Sequence, residues 1–193
     1  MIIRPLTIPE VRQVYNEYLT ADFSADERRP LVMIERAMDK KLYTCWAAFE
    51  EDRIQAYAFL EVLPAKEGGG PRYLFDYFAV VKEFRGSGVG SRFMRRLLRE
   101  SLKDASCALV EIDNPAYALD EAEREIRERR RSFYIKNGLI DTGVDVCTFG
   151  VEFRLMEAVG EAVDREQVCR NYSDLYRVFL PPRVFDRVIA FRE

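Results

Sequence analysis

Seven residues carry the strongest chemical signal in this sequence: Arg85-Gly86-Ser87-Gly88-Val89-Gly90-Ser91. Glycines at alternate positions let a backbone turn tightly and approach a ligand with no Cβ in the way. The run lies between an apolar, aromatic-rich segment, Tyr73 to Val81, and an amphipathic one, Gly88 to Leu102. A strand therefore feeds the loop and a helix leaves it. The first turn of a helix has unpaired N–H groups and a partial positive charge. The combination is a cradle for phosphate, to which Arg85 would add charge and Ser91 a hydroxyl donor. The plainer reading is a flexible connection in which the glycines only make a turn.

The phosphate compound is narrowed by what the loop lacks. A P-loop needs lysine after its last glycine, and Gly90 is followed by Ser91-Arg92. A dinucleotide loop needs a third glycine where Ser91 stands, although Glu111 lies at the spacing of a ribose-binding acid. Dinucleotide binding stays open as an alternative.

Other groups could move protons. The sequence has no histidine, so Ser-His-Asp and Cys-His mechanisms are excluded and any acid or base is a carboxylate, Tyr, Cys, Lys or the backbone. Glu61, Asp76 and Glu111 fall on predicted strands. An acid in an apolar strand is costly unless it faces a wet cleft or finds a partner. All three are candidate bases, in the order Glu111, Asp76, Glu61, and each could equally be a salt-bridged carboxylate. Cys45, Cys107, Cys147 and Cys169 form no C-x-x-C pair, and without histidine they do not make a zinc site. No metal is expected, and reduced thiols suit a cytoplasmic protein.

These groups need elements to hold them. Ile2 to Arg4 reads as a strand; Thr7 and Glu10 have capping-box spacing for a helix to about Leu19. Pro30 opens a second helix. Leu42 to Phe49 and Ile54 to Leu63 suggest a hairpin, and Pro64 to Pro71, with three consecutive glycines, a flexible loop. In the helix from Gly88, Val89, Phe93 and Leu97 make an apolar stripe and Arg92, Arg95, Arg96 and Arg99 take the other side. Cys107 to Ile112 is a strand. Leu119 to Asn137 is a charged helix, and its Arg129-Arg130-Arg131 run reads as a solvated face. Leu139 to Val146 and Phe149 to Met156 form a last hairpin. The pattern is α+β. Tyr172, Leu175, Tyr176 and Phe179 then recur at helical spacing, so the tail should dock on the domain or at a subunit contact.

Bulk properties limit partners. The 193 residues carry a formal charge of −3, which argues against a general nucleic-acid binder. No apolar run approaches the ~18 residues of a membrane span.

The loop matches motif A of the GNAT N-acetyltransferases as Arg85-x-x-Gly88-x-Gly90. Phe78 to Phe84 resembles the lead into that motif, and Phe133-Tyr134-Ile135-Lys136-Asn137-Gly138-Leu139 resembles a second signature of the family. The resemblance covers roughly Ile2 to Met156 and implies a mixed central sheet of about seven strands flanked by helices. It divides the chain into an acetyltransferase domain, 1–157, and a C-terminal helical extension, 158–193. It implies acetyl-CoA as cosubstrate and an amine-bearing acceptor, a small molecule or a peptide, attacking directly in a ternary complex. The pantetheine arm would pair with the backbone of Phe78, Ala79 and Val80 and with Asn114. The pyrophosphate would take the amides from Gly86 to Ser91, through Ser87, Gly88, Val89 and Gly90. Tyr134 stands where relatives protonate the departing thiolate; Leu74 fills one place where some carry the base. A non-catalytic acyl-CoA-binding module and a homodimer through the last hairpin or tail remain open.

Overall fold

A computed structural model describes residues 1–65, 69–159 and 163–192. Its packing divides the chain into two units, Met1–Pro64 with Phe75–Lys103, and Ala65–Leu74 with Asp104–Glu193.

The first unit begins with β1 (Ile2–Pro5) and α1 (Ile8–Val14). The Thr7 amide and hydroxyl both donate to Glu10 Oε2 at 2.8 Å, so the helix starts as the capping-box spacing predicts. Arg4 adds two hydrogen bonds to the same carboxylate, and with Thr7 it pulls the Glu10 carboxyl down to about 2. The helix widens into a π-turn over Tyr15–Leu19 and ends in a short α2 (Thr20–Asp22). After a loop, α3 spans Leu31–Asp39.

β2 (Tyr43–Glu50) and β3 (Arg53–Leu63) form the expected hairpin, and β1 lies antiparallel on β2. β4 (Arg72–Val80) follows β3 in the strand order, and the Val81 amide continues their pairing on Gln55 O at 2.9 Å. α4 (Val89–Arg96) buries Val89, Phe93 and Met94, and Leu97 opens a second π-turn to Ser101. Burial of each such apolar side chain is worth about 1.5–3 kcal/mol. Phe93 stacks on Phe78 of β4, centroids 5.6 Å apart, which fixes the helix that the glycine loop opens.

In the second unit β5 (Cys107–Asp113), β7 (Val151–Glu157), β6 (Ile140–Thr148) and β8 (Ile189–Phe191) are neighbours in that order, all antiparallel. α5 (Glu121–Lys136) starts at Asp120, whose carboxylate accepts the Glu123 amide at 2.8 Å. α6 (Arg165–Arg177) and α7 (Pro182–Val188) precede β8. The chain thus has eight strands among its described residues, against about seven expected. β8 has three residues, too few for a period-2 pattern to register. The Arg129–Arg131 run meets acids: Arg130 pairs with Asp113 and Arg131 with Asp141, both at 2.6 Å.

Of the Pro64–Pro71 loop, Lys66 to Gly68 lie outside the described residues. Its far end is fixed. A Cβ on Gly70 would stand 2.1 Å from Asp104 O, and Ser106 donates from its amide to Pro71 O and from its hydroxyl to Gly70 O. Glycine is needed there for close approach. No helix among the described residues is long and apolar enough to cross a membrane.

Candidate active site

After β4, a 3-10 turn over Lys82–Phe84 carries the chain into the glycine loop. Gly86 and Gly88 stand at φ +77° and +79°, backbone that L side chains rarely adopt. A Cβ built on either would meet no atom within 4 Å. Packing therefore does not demand these glycines, while the turn does, and open space lies in front of the backbone. Gly88 caps α4, and the first i→i−4 bond runs from the Arg92 amide to Gly88 O at 3.1 Å. The amides of Val89, Gly90 and Ser91 head the helix, where an anion is stabilised.

Arg85 was expected to lend charge to this cradle. Its Nε donates to Val80 O at 2.9 Å and its Nη2 pairs with Asp22, which also accepts the Tyr57 hydroxyl at 2.9 Å. Through these two contacts the guanidinium braces the loop, while its side chain remains 53% exposed. Ser87 donates to Phe84 O at 2.6 Å and tightens the turn.

Phe78, Ala79 and Val80 are half-buried on β4. Just before them the strand breaks its alternation. The rings of Phe75 and Phe78, three apart, lie 6.5 Å from each other, and the adjacent Asp76 and Tyr77 both reach Arg29. A regular strand would send such pairs to opposite faces. A β-bulge re-aims side chains in this way.

Two of the three candidate acids meet here on one cation. Arg29 pairs through Nη2 with Glu61 and through Nε with Asp76 Oδ2 at 3.0 Å. The Tyr43 hydroxyl donates to the same Asp76 oxygen. No hydrogen bond among the described residues reaches Asp76 Oδ1, and the Asp76 side chain is 20% exposed whereas that of Glu61 is 2% exposed. Burial works against the Arg29 charge, but Asp76 and Glu61 more than offset it and hold the guanidinium protonated. Two carboxylates and one guanidinium leave one negative charge in surplus. Leu74, by contrast, is 2% exposed and has no proton to move.

Sequence reasoning missed Arg29 and Tyr43. Nothing local marks Arg29, whose partners lie 32 and 47 residues away.

The remaining candidates belong to the second unit. Glu111, ranked first among the acids, accepts the hydroxyls of Tyr172 and Tyr176 of α6. Tyr172 also shares a hydrogen bond with Thr148 at 2.6 Å. The two bonds from Tyr172 and Tyr176 tie Glu111 to α6. Tyr134 is a buried residue of α5 beside Phe133. Burial pushes its phenol up to about 12, with Arg130 acting the other way, so it holds its proton at neutral pH. No hydrogen bond among the described residues reaches its hydroxyl. Asn114 is 1% exposed; its Oδ1 accepts the Ala116 amide at 3.0 Å and its Nδ2 has no partner among the described residues. A buried amide donor left unpaired costs about 1–3 kcal/mol, which a ligand carbonyl would recover.

The sequence model of the acetyltransferase (GNAT) family matches residues 8–124. No curated protein matches the sequence. Among solved structures, a GNAT-family protein from Bacteroides thetaiotaomicron is similar, with 17% identity, 93% of this chain and 98% of that chain covered, and a TM-score of 0.65. A variant of spermidine N-acetyltransferase from Vibrio cholerae has 12% identity, coverage of 82% and 95%, and a TM-score of 0.59. An aminoglycoside 6'-N-acetyltransferase complexed with coenzyme A has 12% identity, coverage of 84% and 99%, and a TM-score of 0.53. At such identities the likeness is one of fold.

Proposed function

The chain belongs to the GNAT family of acetyltransferases, and from that premise we propose that it moves the acetyl group of acetyl-CoA to an amine, with Asp76 as base and Tyr134 as acid. The carrying observation is the loop that opens α4. Two left-handed glycines face open space and helix-head amides stand behind them. Val89, Gly90 and Ser91 would hold the pyrophosphate by their N–H groups, while the backbone of Phe78, Ala79 and Val80 and the free amide of Asn114 would hold the pantetheine arm.

Bound acetyl-CoA supplies an acetyl thioester, an electrophilic carbon with a thiolate leaving group. A backbone N–H near Val80 would polarise its carbonyl, a one-donor oxyanion site. The amine must lose a proton to attack. Asp76 is the acid whose second oxygen is open to receive it, two positions along β4 from Phe78 or about 7 Å of strand. Tyr134 keeps its proton until a thiolate needs one. The acceptor is proposed as an amine that arrives cationic, a small molecule or a peptide terminus, because the cluster around Asp76 carries surplus negative charge. Dinucleotide binding is set aside. The strands after the glycine helix pair antiparallel as β5-β7-β6, whereas a dinucleotide fold repeats parallel βαβ units.

The test is a thermal shift. At ligand near 100 Kd the parent should gain about 2.7 kcal/mol with acetyl-CoA and nothing with NADH or ATP. Gly88→Glu, strained by its φ and repelling phosphate, should lose the response, and Arg99→Glu two turns further on should keep it. A parent response to NADH instead overturns the cosubstrate. A response to acetyl-CoA without release of CoA thiol to any amine of a panel leaves a binding module and ends the catalytic reading.

A further inference from the structure

We propose that Arg29 and Tyr43 are positioning residues that hold Asp76 turned so that its Oδ1 alone meets the incoming amine. The inference rests on the acyl-transfer reading above.

A carboxylate has two oxygens that ordinarily compete for any proton. Here Oδ2 is fully engaged, by Arg29 Nε at 3.0 Å and by the Tyr43 hydroxyl. Rotation of the carboxylate would break both bonds, so Oδ1 is fixed as the accepting atom. The guanidinium is itself held in place. The Arg29 amide donates to the Tyr77 hydroxyl at 2.7 Å, the Tyr77 hydroxyl donates to Glu27 O at 3.1 Å, and the Tyr15 hydroxyl donates to Arg29 O at 3.1 Å. Three phenol contacts thus pin the segment before α3, and Glu61 takes the far Nη2 of Arg29. Because this order is built in before substrate arrives, little reorganisation is left for the reaction.

The groups facing Asp76 are Arg29 from the segment before α3, Tyr43 and Cys45 on β2, Glu61 on β3 and Tyr77 on β4. Burial raises Tyr43, Cys45 and Tyr77, so all three stay neutral through the working range. When the ammonium gives its proton to Oδ1, the cluster passes from one surplus negative charge to none, and the neutral amine carries its lone pair to the thioester carbon. A cation in contact favours the ionised carboxylate.

The experiment follows Asp76 by carbon-13 carboxyl NMR and, in parallel, CoA thiol release to 1,3-diaminopropane across pH. Arg29→Gln should move both the Asp76 titration and the acidic limb of the rate profile upward together, by about 1 to 3 pH units. Arg29→Lys should leave the limb near that of the parent while lowering the rate. Tyr43→Phe should move both readouts upward by less. The double variant Arg29→Gln/Glu61→Gln removes one charge of each sign and avoids a bare buried acid. It keeps the test valid if the single variant does not fold, and it should show the same upward movement. Thermal response to acetyl-CoA should be unchanged throughout. Titration curves that overlay the parent's, or a limb that stays put while the titration moves, overturn the proposal. If the parent binds acetyl-CoA and releases no thiol, acyl transfer itself fails and the proposal falls with it.

Discussion

Asp76 in the first unit and Glu111 in the second are both strand carboxylates in apolar surroundings, and they are satisfied in opposite ways. Glu111 accepts two phenol hydroxyls from α6. Asp76 has one oxygen held by a cation and a phenol, and its other oxygen meets no donor among the described residues. The same contrast recurs between phenols of the second unit, where Tyr172 is engaged by Glu111 and Thr148 and the Tyr134 hydroxyl by no hydrogen bond among the described residues. Residue type and strand position do not separate an acid that works from one that anchors. Under the proposed mechanism, unused hydrogen-bonding capacity does, because an oxygen without a protein partner is free to be completed by a ligand.

The comparison is broken most directly by exchanging each acid for its amide. Asp76→Asn should lower kcat by about 10²- to 10⁴-fold, the range of a general base. Glu111→Gln still accepts from both phenols and should stay close to the parent in rate. Equal losses in the two variants would erase the distinction. Tyr134→Phe comes next and removes only the unengaged hydroxyl. Thiol release should fall by about 10²-fold with affinity for acetyl-CoA unchanged, and a parental kcat would remove Tyr134 from the mechanism. The smallest effect is structural. Tyr172→Phe takes a donor from half-buried Glu111 and a hydrogen-bond partner from buried Thr148, and should cost about 1–3 kcal/mol, a fall in Tm of about 2 to 12 °C at this chain length. The acidic limb of the rate profile should not move. A displaced limb would mean that Glu111 takes part in proton transfer after all.

What could be read from the sequence divides by the distance over which the physics acts. The glycine loop, the Thr7–Glu10 cap and the stripe of Val89, Phe93 and Leu97 are written within one or two turns of chain, and the structure has each in place. Arg85 is read by the same local logic, which does not show that it also meets Asp22, 63 residues away. The phenol partners of Glu111 escape a local reading for the same reason, since Tyr172 and Tyr176 lie 61 and 65 residues on. Helical spacing marked those tyrosines as a packed face without showing what they pack on. Arg29 left no trace at all. The second arginine of an Arg28-Arg29 pair in a polar stretch looks solvated until the fold brings two strands beside it.

The pairing of β8 with β6 also sets a timetable for synthesis. Val146 faces Phe191 across the sheet, so an edge made early in β6 waits 45 residues (146 to 191) for its partner. Chains emerge amino terminus first at about 5–20 residues per second. The first unit has all of its segments once Lys103 has emerged. The second must hold an unpaired strand for some seconds longer, with the bare edge that invites association between nascent chains. Chaperone demand in the cell should therefore peak late in translation, and slowing the ribosome between β6 and β8 should lower soluble yield more than the same delay before Lys103.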